Sequence, residues 1–409
     1  MKLVKYAALV AAVMGTLGCA EVQHRHHHSH HSHGGGGGGS KYNIQTIYGN
    51  AAVQQCAGNF GSPKLQTNAD FSKVYVTSDC CAENGCVEKP GEKGELGDTS
   101  KGMYTVMMSG DVDYSSGTIN WNQSTFMNVT VPYKGNPLQG AGIHTVRDHV
   151  ENRIVLFGLY KPSGNSRKSY NVTYSIRYAT DAGNGVPVIS EPFDITPQIR
   201  HCSPDQNNML DVSAGTATQT SSGRLLVPAH DHNKHGTVFY SDDGGQTWNC
   251  SNIFPANEIS VAEIPHKPGH LYITGRPEDG WGPHRSSYWS TDNGATFQGP
   301  FKCDNLFTPG KDVKGCERAM VAGDDGKGSE YLISSEPLDK HRHNMHLACS
   351  RDGGHTWKNT LSVNDGAVAG YSGLVQLKNG YTAIAWQDRK AHAGQPSNFL
   401  ATIVEPGWC

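Results

Sequence analysis

Side chains able to do chemistry are densest in two stretches of this 409-residue chain. The first, His24 to Ser40, reads HRHHHSHHSHGGGGGGS. Imidazoles at that density would hold transition metals weakly, and a stretch with nothing apolar to pack reads as a flexible tether. The second, His341 to Leu374, reads HRHNMHLACSRDGGHTWKNTLSVNDGAVAGYSGL and combines a His/Arg cluster, an Asp-Gly-Gly turn and a Tyr set between Gly and Ser. Cysteine-zinc chemistry has no footing, because the chain lacks a C-x-x-C motif and any paired Cys/His spacing. The net charge is −3 and no basic block lies outside the N-terminal tract, which argues against nucleic acid as a partner.

Those side chains need a frame, and the second stretch contains part of it. Ser350 to Trp357 reads SRDGGHTW, and the pattern recurs as SDDGGQTW at Ser241 to Trp248 and STDNGATF at Ser290 to Phe297. In each octet Gly tolerates positive φ, the Asp carboxylate can accept backbone N–H groups, and the terminal aromatic can anchor a hairpin in a core. The octet Asp is therefore read as a turn-former and not as a catalyst. Weaker echoes lie at Tyr178 to Pro192 and at Met108 to Trp121. Repetition at this interval indicates units that bury their faces only against neighbours, and four-stranded propeller blades meet that need. At about 60 residues per unit, residues 41–409 hold roughly six. The 49 Gly residues and the 17% charged fraction fit many turns and few amphipathic helices. Asn379-Gly380, between two apolar runs, marks a hairpin. The expected architecture is an all-β, six-bladed β-propeller.

Ahead of the propeller, residues 1–20 place two Lys before an apolar run that ends in small residues, the pattern of a secretory signal peptide. Residues 21–40 form the tether. The run is short for a membrane span, and a lipid anchor on Cys19 is the alternative to release of the chain. Removal of the signal leaves ten cysteines, an even number that favours disulfides in a secreted chain.

The order of further motifs resembles the exo-sialidases (neuraminidases), whose six-bladed propellers carry these octets. ANEISVAEI at Ala256 to Ile264 is similar to the family's context for a Glu that activates the nucleophile, which points to Glu258. LYITGRP at Leu271 to Pro277 then matches a substrate arginine at Arg276. GCE at Gly315 to Glu317 resembles the family's G-C-Q, Arg342 stands where a further substrate arginine precedes an octet, and GYSGL gives Tyr371 as the nucleophile. RLLVPAHDHNK, from Arg224, places His230 and His232 where the family's sugar pocket is lined by Tyr. In the first blade Asp98 takes the place of the general acid. The family's R-I-P arginine has no counterpart motif, and a count of 25 residues back from Asp98 gives Lys73 as its substitute. The resemblance covers roughly residues 140–409.

These residue types suit an anionic 2-keto sugar. A neutral Tyr hydroxyl avoids the repulsion a carboxylate nucleophile would meet, provided a nearby Glu takes its proton. Arginine forks bind the sugar's carboxylate, and an Asp with raised pKa protonates the leaving oxygen. The resemblance thus implies a retaining exo-α-sialidase, a glycoside hydrolase that needs no metal or organic cofactor. Its substrates would be sialylated glycoproteins, glycolipids or oligosaccharides. Loss of the R-I-P arginine leaves open a catalytically silent, glycan-binding relative, and the His residues at the Tyr positions leave open a glycosidase for a related ulosonic acid.

Overall fold

The computed structural model describes residues 41–49, 59–81, 103–129, 139–161, 172–181, 186–203, 209–212, 215–231, 233–276, 284–307, 316–338, 342–388 and 398–409. The signal and tether expected over residues 1–40 lie outside them, as do Asp98 and His232. The described strands form six antiparallel sheets, each one blade of a six-bladed propeller.

Blade one runs outward from an interrupted inner strand, Asn59–Phe60 and Lys64–Thr67, through Lys73–Cys81 and Met103–Asp113 to Thr118–Asn128. Blades two to five repeat the scheme, with inner strands Gln139–Asp148, Thr218–Gln219, Ile259–Glu263 and Ala319–Asp324. Blade six is built from both ends of the chain. Ser372–Gln376, Thr382–Asp388 and Asn398–Val404 come from the C-terminal region, and Gln45–Thr46 adds the outer strand, which closes the ring. The Asn379-Gly380 turn joins the first two of these strands, with both residues at positive φ.

Burial explains why no blade could stand alone. The six apolar clusters each draw on two adjacent blades, one cluster per interface. At roughly 25 cal/mol per Å² of apolar surface, most of the driving force lies between sheets and not within them. The clusters differ in size: among the described residues, the interface between blades two and three buries 18 apolar side chains, that between blades one and two only seven.

The three octets join the third and outer strands of blades three, four and five. In the first, Asp243 Oδ1 accepts from Ser241 Oγ and Thr247 N at 2.8 Å each, and Oδ2 accepts from Thr247 Oγ1 at 2.6 Å. Asp292 and Asp352 repeat the pattern, so these carboxylates hold turns as expected. The octet aromatics Trp248, Phe297 and Trp357 sit in the clusters shared with the preceding blade. Disulfides Cys202–Cys250 and Cys349–Cys409 secure the outer parts of blades three and five. Pairing is not complete, since Cys316 is a buried free thiol.

Candidate active site

Strand direction decides which side chains can meet. In every blade the start of the inner strand, the end of the second and the start of the third lie at one end of the propeller. Glu258 immediately precedes the inner strand of blade four, and Arg276 immediately follows its second strand, Leu271–Gly275. The backbone bond from Arg276 N to Asn257 O, 2.8 Å, pins the two together. Tyr371 precedes the inner strand of blade six and is clamped by its neighbour strand: Gln387 N donates to Tyr371 O at 2.9 Å and Tyr371 N to Gln387 Oε1 at 3.3 Å. Arg342 precedes the third strand of blade five, His343–Ser350, and its carbonyl accepts from Ala369 N at 2.7 Å, two residues before Tyr371.

The four side chains converge. Tyr371 Oη donates to Glu258 Oε1 at 2.7 Å, and Arg276 Nη1 donates to the same oxygen at 2.7 Å and lies 3.4 Å from the Tyr371 hydroxyl. The Arg342 guanidinium carbon lies 5.5 Å from the centre of the Tyr371 ring. Glu258 Oε2 is buried and has no hydrogen-bond partner among the described residues. Glu258 and Arg342 also hold positive φ, 41° and 59°, a conformation that costs a non-glycine residue about 1–2 kcal/mol. Strain of that kind gathers at functional sites, where the surrounding structure over-determines it.

Electrostatics assign each group a state. Burial alone would raise the Glu258 carboxyl, but Arg276, His230 and the hydrogen bonds from Arg276 and Tyr371 outweigh it and hold the group below the ordinary value. Burial and then the Glu258 charge push the Tyr371 phenol well above its usual range. At neutral pH the pair is therefore a carboxylate facing an intact phenol. A proton passing from Tyr371 to Glu258 would leave a phenolate beside two guanidinium groups, both of which favour the anion.

His230 ends the second strand of blade three and contributes to the Glu258 field, so it stands at this end of the propeller. Lys73 does not. It starts the second strand of blade one at the opposite end and pairs with Asp111, which corrects its reading as a substrate cation. Strand direction, and not distance along the chain, decides at which end a blade-one side chain stands. Among the described residues, the cation that blade one brings to the site end is Lys64, in its inner strand. Lys64 Nζ is buried, 2.7 Å from both Glu317 Oε1 and Ser62 Oγ, and Ser62 Oγ donates to Glu317 Oε2 at 2.5 Å.

Asp79 is a second residue that sequence reasoning missed. Its backbone carbonyl accepts from Gly61 N at 2.8 Å, and its buried carboxyl is lifted to about 7 by burial and by Asp211 and Glu317, against Lys64. No local motif marks Lys64: it stands within S-P-K-L, where the broken inner strand resumes.

Comparison with known proteins agrees with the fold. The BNR repeat-like domain family matches residues 140–384. Sialidase-3 of Rattus norvegicus is 33% identical over 129 residues, 27% of this chain and 29% of that protein. A sialidase of Paraclostridium sordellii is 25% identical over 180 residues, 41% of this chain and 44% of that one. The chain thus aligns with less than half the length of either curated relative. Among solved structures, the Hadza microbial sialidase Hz136 superposes with a TM-score of 0.67 at 18% identity, over 88% of this chain and 68% of that one.

Proposed function

Because the chain belongs to the BNR repeat-like domain family, with its fold shared by sialidases, we propose that it is a retaining exo-α-sialidase acting on sialylated glycoproteins, glycolipids or oligosaccharides. The observation that carries this reading is the 2.7 Å hydrogen bond from Tyr371 to Glu258, made beside Arg276 and Arg342. Arg276 and Arg342 hold the sugar's carboxylate. Tyr371 Oη attacks the anomeric carbon as its proton passes to Glu258, while Asp98 gives a proton to the departing glycosidic oxygen. Water then opens the tyrosyl glycoside, its proton going to Asp98 and the phenolate recovering a proton from Glu258. His230 and His232 line the pocket in this scheme.

The test is hydrolysis of a fluorogenic α-sialoside by the full chain. Turnover that falls by about a thousandfold or more in Tyr371→Phe, with the fold intact by circular dichroism, supports the scheme. An inactive wild-type protein that still binds sialosides would replace it with a glycan-binding role. One observation favours that rival, or a related ulosonic acid as substrate: among the described residues, the blade-one cation at the site end is a lysine already paired with Glu317.

Secretion through the signal peptide at residues 1–20 is part of the same proposal, with Cys19 lipidation as its rival. The disulfides Cys202–Cys250 and Cys349–Cys409 support an oxidising compartment. Mass analysis of the mature N-terminus distinguishes the two. Among the described residues no helix is long and apolar enough to cross a membrane.

A further inference from the structure

At the end of the propeller away from Tyr371, each octet fills the groove between its own blade and the one before. Arg153 of blade two donates to Gly244 O in the blade-three octet at 3.0 Å, and Arg224 of blade three donates to Asn293 O in the blade-four octet at 3.0 Å. Trp289 of blade four donates to Gly353 O in the blade-five octet at 2.9 Å. Blade two has only the degenerate echo Tyr178 to Pro192, with no aromatic at the octet's end. Between blades one and two the described residues line a cavity of about 230 Å³. The adjoining core is the smallest of the six.

The lining of this cavity combines polar groups with the apolar Ile154, Ala179 and Pro187. Asn68, Asp70 and Tyr75 face it from blade one, and Arg147, Asn152 and Asp181 from blade two. Arg147 is 8% exposed, and its Nε has no hydrogen-bond partner among the described residues, although its Nη2 donates to Asn152 Oδ1. A buried guanidinium N–H without an acceptor is costly, on the order of 1–3 kcal/mol, and its natural acceptor is a ligand oxygen. Asp70 and Asp181 lie at the exposed side of the lining. Among the described lining residues two carboxylates stand against one guanidinium, a negative balance that disfavours an anion. Carboxylates and amides that accept, beside a guanidinium that donates, are matched by neighbouring hydroxyl groups that do both. The volume is smaller than the roughly 300–1,000 Å³ of pockets for drug-sized ligands, which leaves room for one ring and not two.

From this we propose that the cleft between blades one and two is a second, non-catalytic carbohydrate site that takes one neutral pyranose. It is distinct from the anionic-sugar site at the opposite end and does not depend on that assignment. Saturation-transfer NMR of the full chain with the methyl pyranosides of glucose, galactose, mannose and N-acetylglucosamine tests it. At least one should bind saturably in the millimolar range. Asp181→Ala, an exposed position, should weaken that binding by about tenfold or more and leave sialoside hydrolysis unchanged, so this site can fail without the Tyr371 site failing. Arg147→Met, which keeps the bulk and removes the donor, should weaken it likewise. Absence of saturable binding, binding that survives Asp181→Ala, or equal binding of glucuronate and methyl glucoside would each overturn the proposal.

Discussion

The two ends of the propeller carry cations of the same kinds put to opposite uses. At the octet end Arg224 makes two 2.7 Å contacts with Asp242 and lies over the Tyr240 ring at 4.2 Å. Arg153 is held by Asp148 at 3.2 Å and lies 3.8 Å from the Tyr178 ring centre. Both of these guanidinium groups have their own carboxylate and also donate to the carbonyl of the next octet, so their charge is spent on joining blades. At the other end Arg276 shares Glu258 with a phenol, and Arg342 faces that phenol's ring. Charge at this end is arranged around a hydroxyl that would become negative. The difference follows from which strand terminus carries the residue, not from residue type.

The largest effect that would break the comparison is at Glu258. Glu258→Gln keeps the shape and removes the proton acceptor, and sialoside turnover should fall by about a hundredfold to ten-thousandfold. Steady-state kinetics check this, and wild-type-like kcat would remove Glu258 as base. In the wild type the acidic limb of kcat/KM due to this group should lie below the ordinary carboxyl range, because the charges of Arg276 and His230 hold its pKa down against burial. Arg276→Met deletes the main opposing charge, so the carboxyl pKa rises and that limb moves to higher pH. Arg276→Lys keeps the charge but not the fork, so KM should rise by about tenfold with a smaller shift of the limb.

Next in size is the octet end, where stability and not turnover should respond. Asp292→Ala removes the acceptor for Ser290, Thr296 N and the Thr296 hydroxyl. A loss of about 1–3 kcal/mol in urea unfolding is expected, with KM unchanged. Burial would raise the Asp243, Asp292 and Asp352 carboxyls, but hydrogen bonds from Thr and Ser hydroxyls and backbone N–H groups outweigh it and hold all three below the ordinary value. Their contribution is therefore fully present above the unfolded carboxyl range and is lost as pH falls through the lower folded values. Asp-to-Asn changes at the three octets should flatten this acid limb of stability.

The sequence made much of the frame legible, because octets repeat locally and each needs only its own residues to fold. The convergence of Tyr371, Glu258, Arg276 and Arg342 was legible through the order of short motifs, each sitting where a strand starts or ends. Lys64 and Asp79 were not, since blade one's inner strand is broken around Gly61-Ser62-Pro63 and no motif marks its register. The ion pair from Lys64 to Glu317 joins residues 253 apart, a contact no local pattern encodes. Positive φ at Glu258 and Arg342 was equally hidden, because neither residue type advertises it. The cavity beside blade two was half visible: the echo at Tyr178 to Pro192 could be read as a weak octet, but not as the edge of a cleft.

The smallest predicted effect is the most direct test of how the two ends differ. Lys73 begins the second strand of blade one, the same seat that Arg153 takes in blade two and that Arg224 directly precedes in blade three. Its ammonium is partly exposed and paired with the exposed Asp111 across the strand pair. An exposed pair of this kind is worth about 0–1 kcal/mol. Lys73→Ala should therefore shift stability by less than about 1 kcal/mol and leave the KM for a sialoside where it was, whereas Lys64→Ala, which strands Glu317 in the interior, should cost about 3–5 kcal/mol. A raised KM in Lys73→Ala would mean that a cation at the octet end reaches the sugar. The separation of the two ends by strand direction would then be wrong.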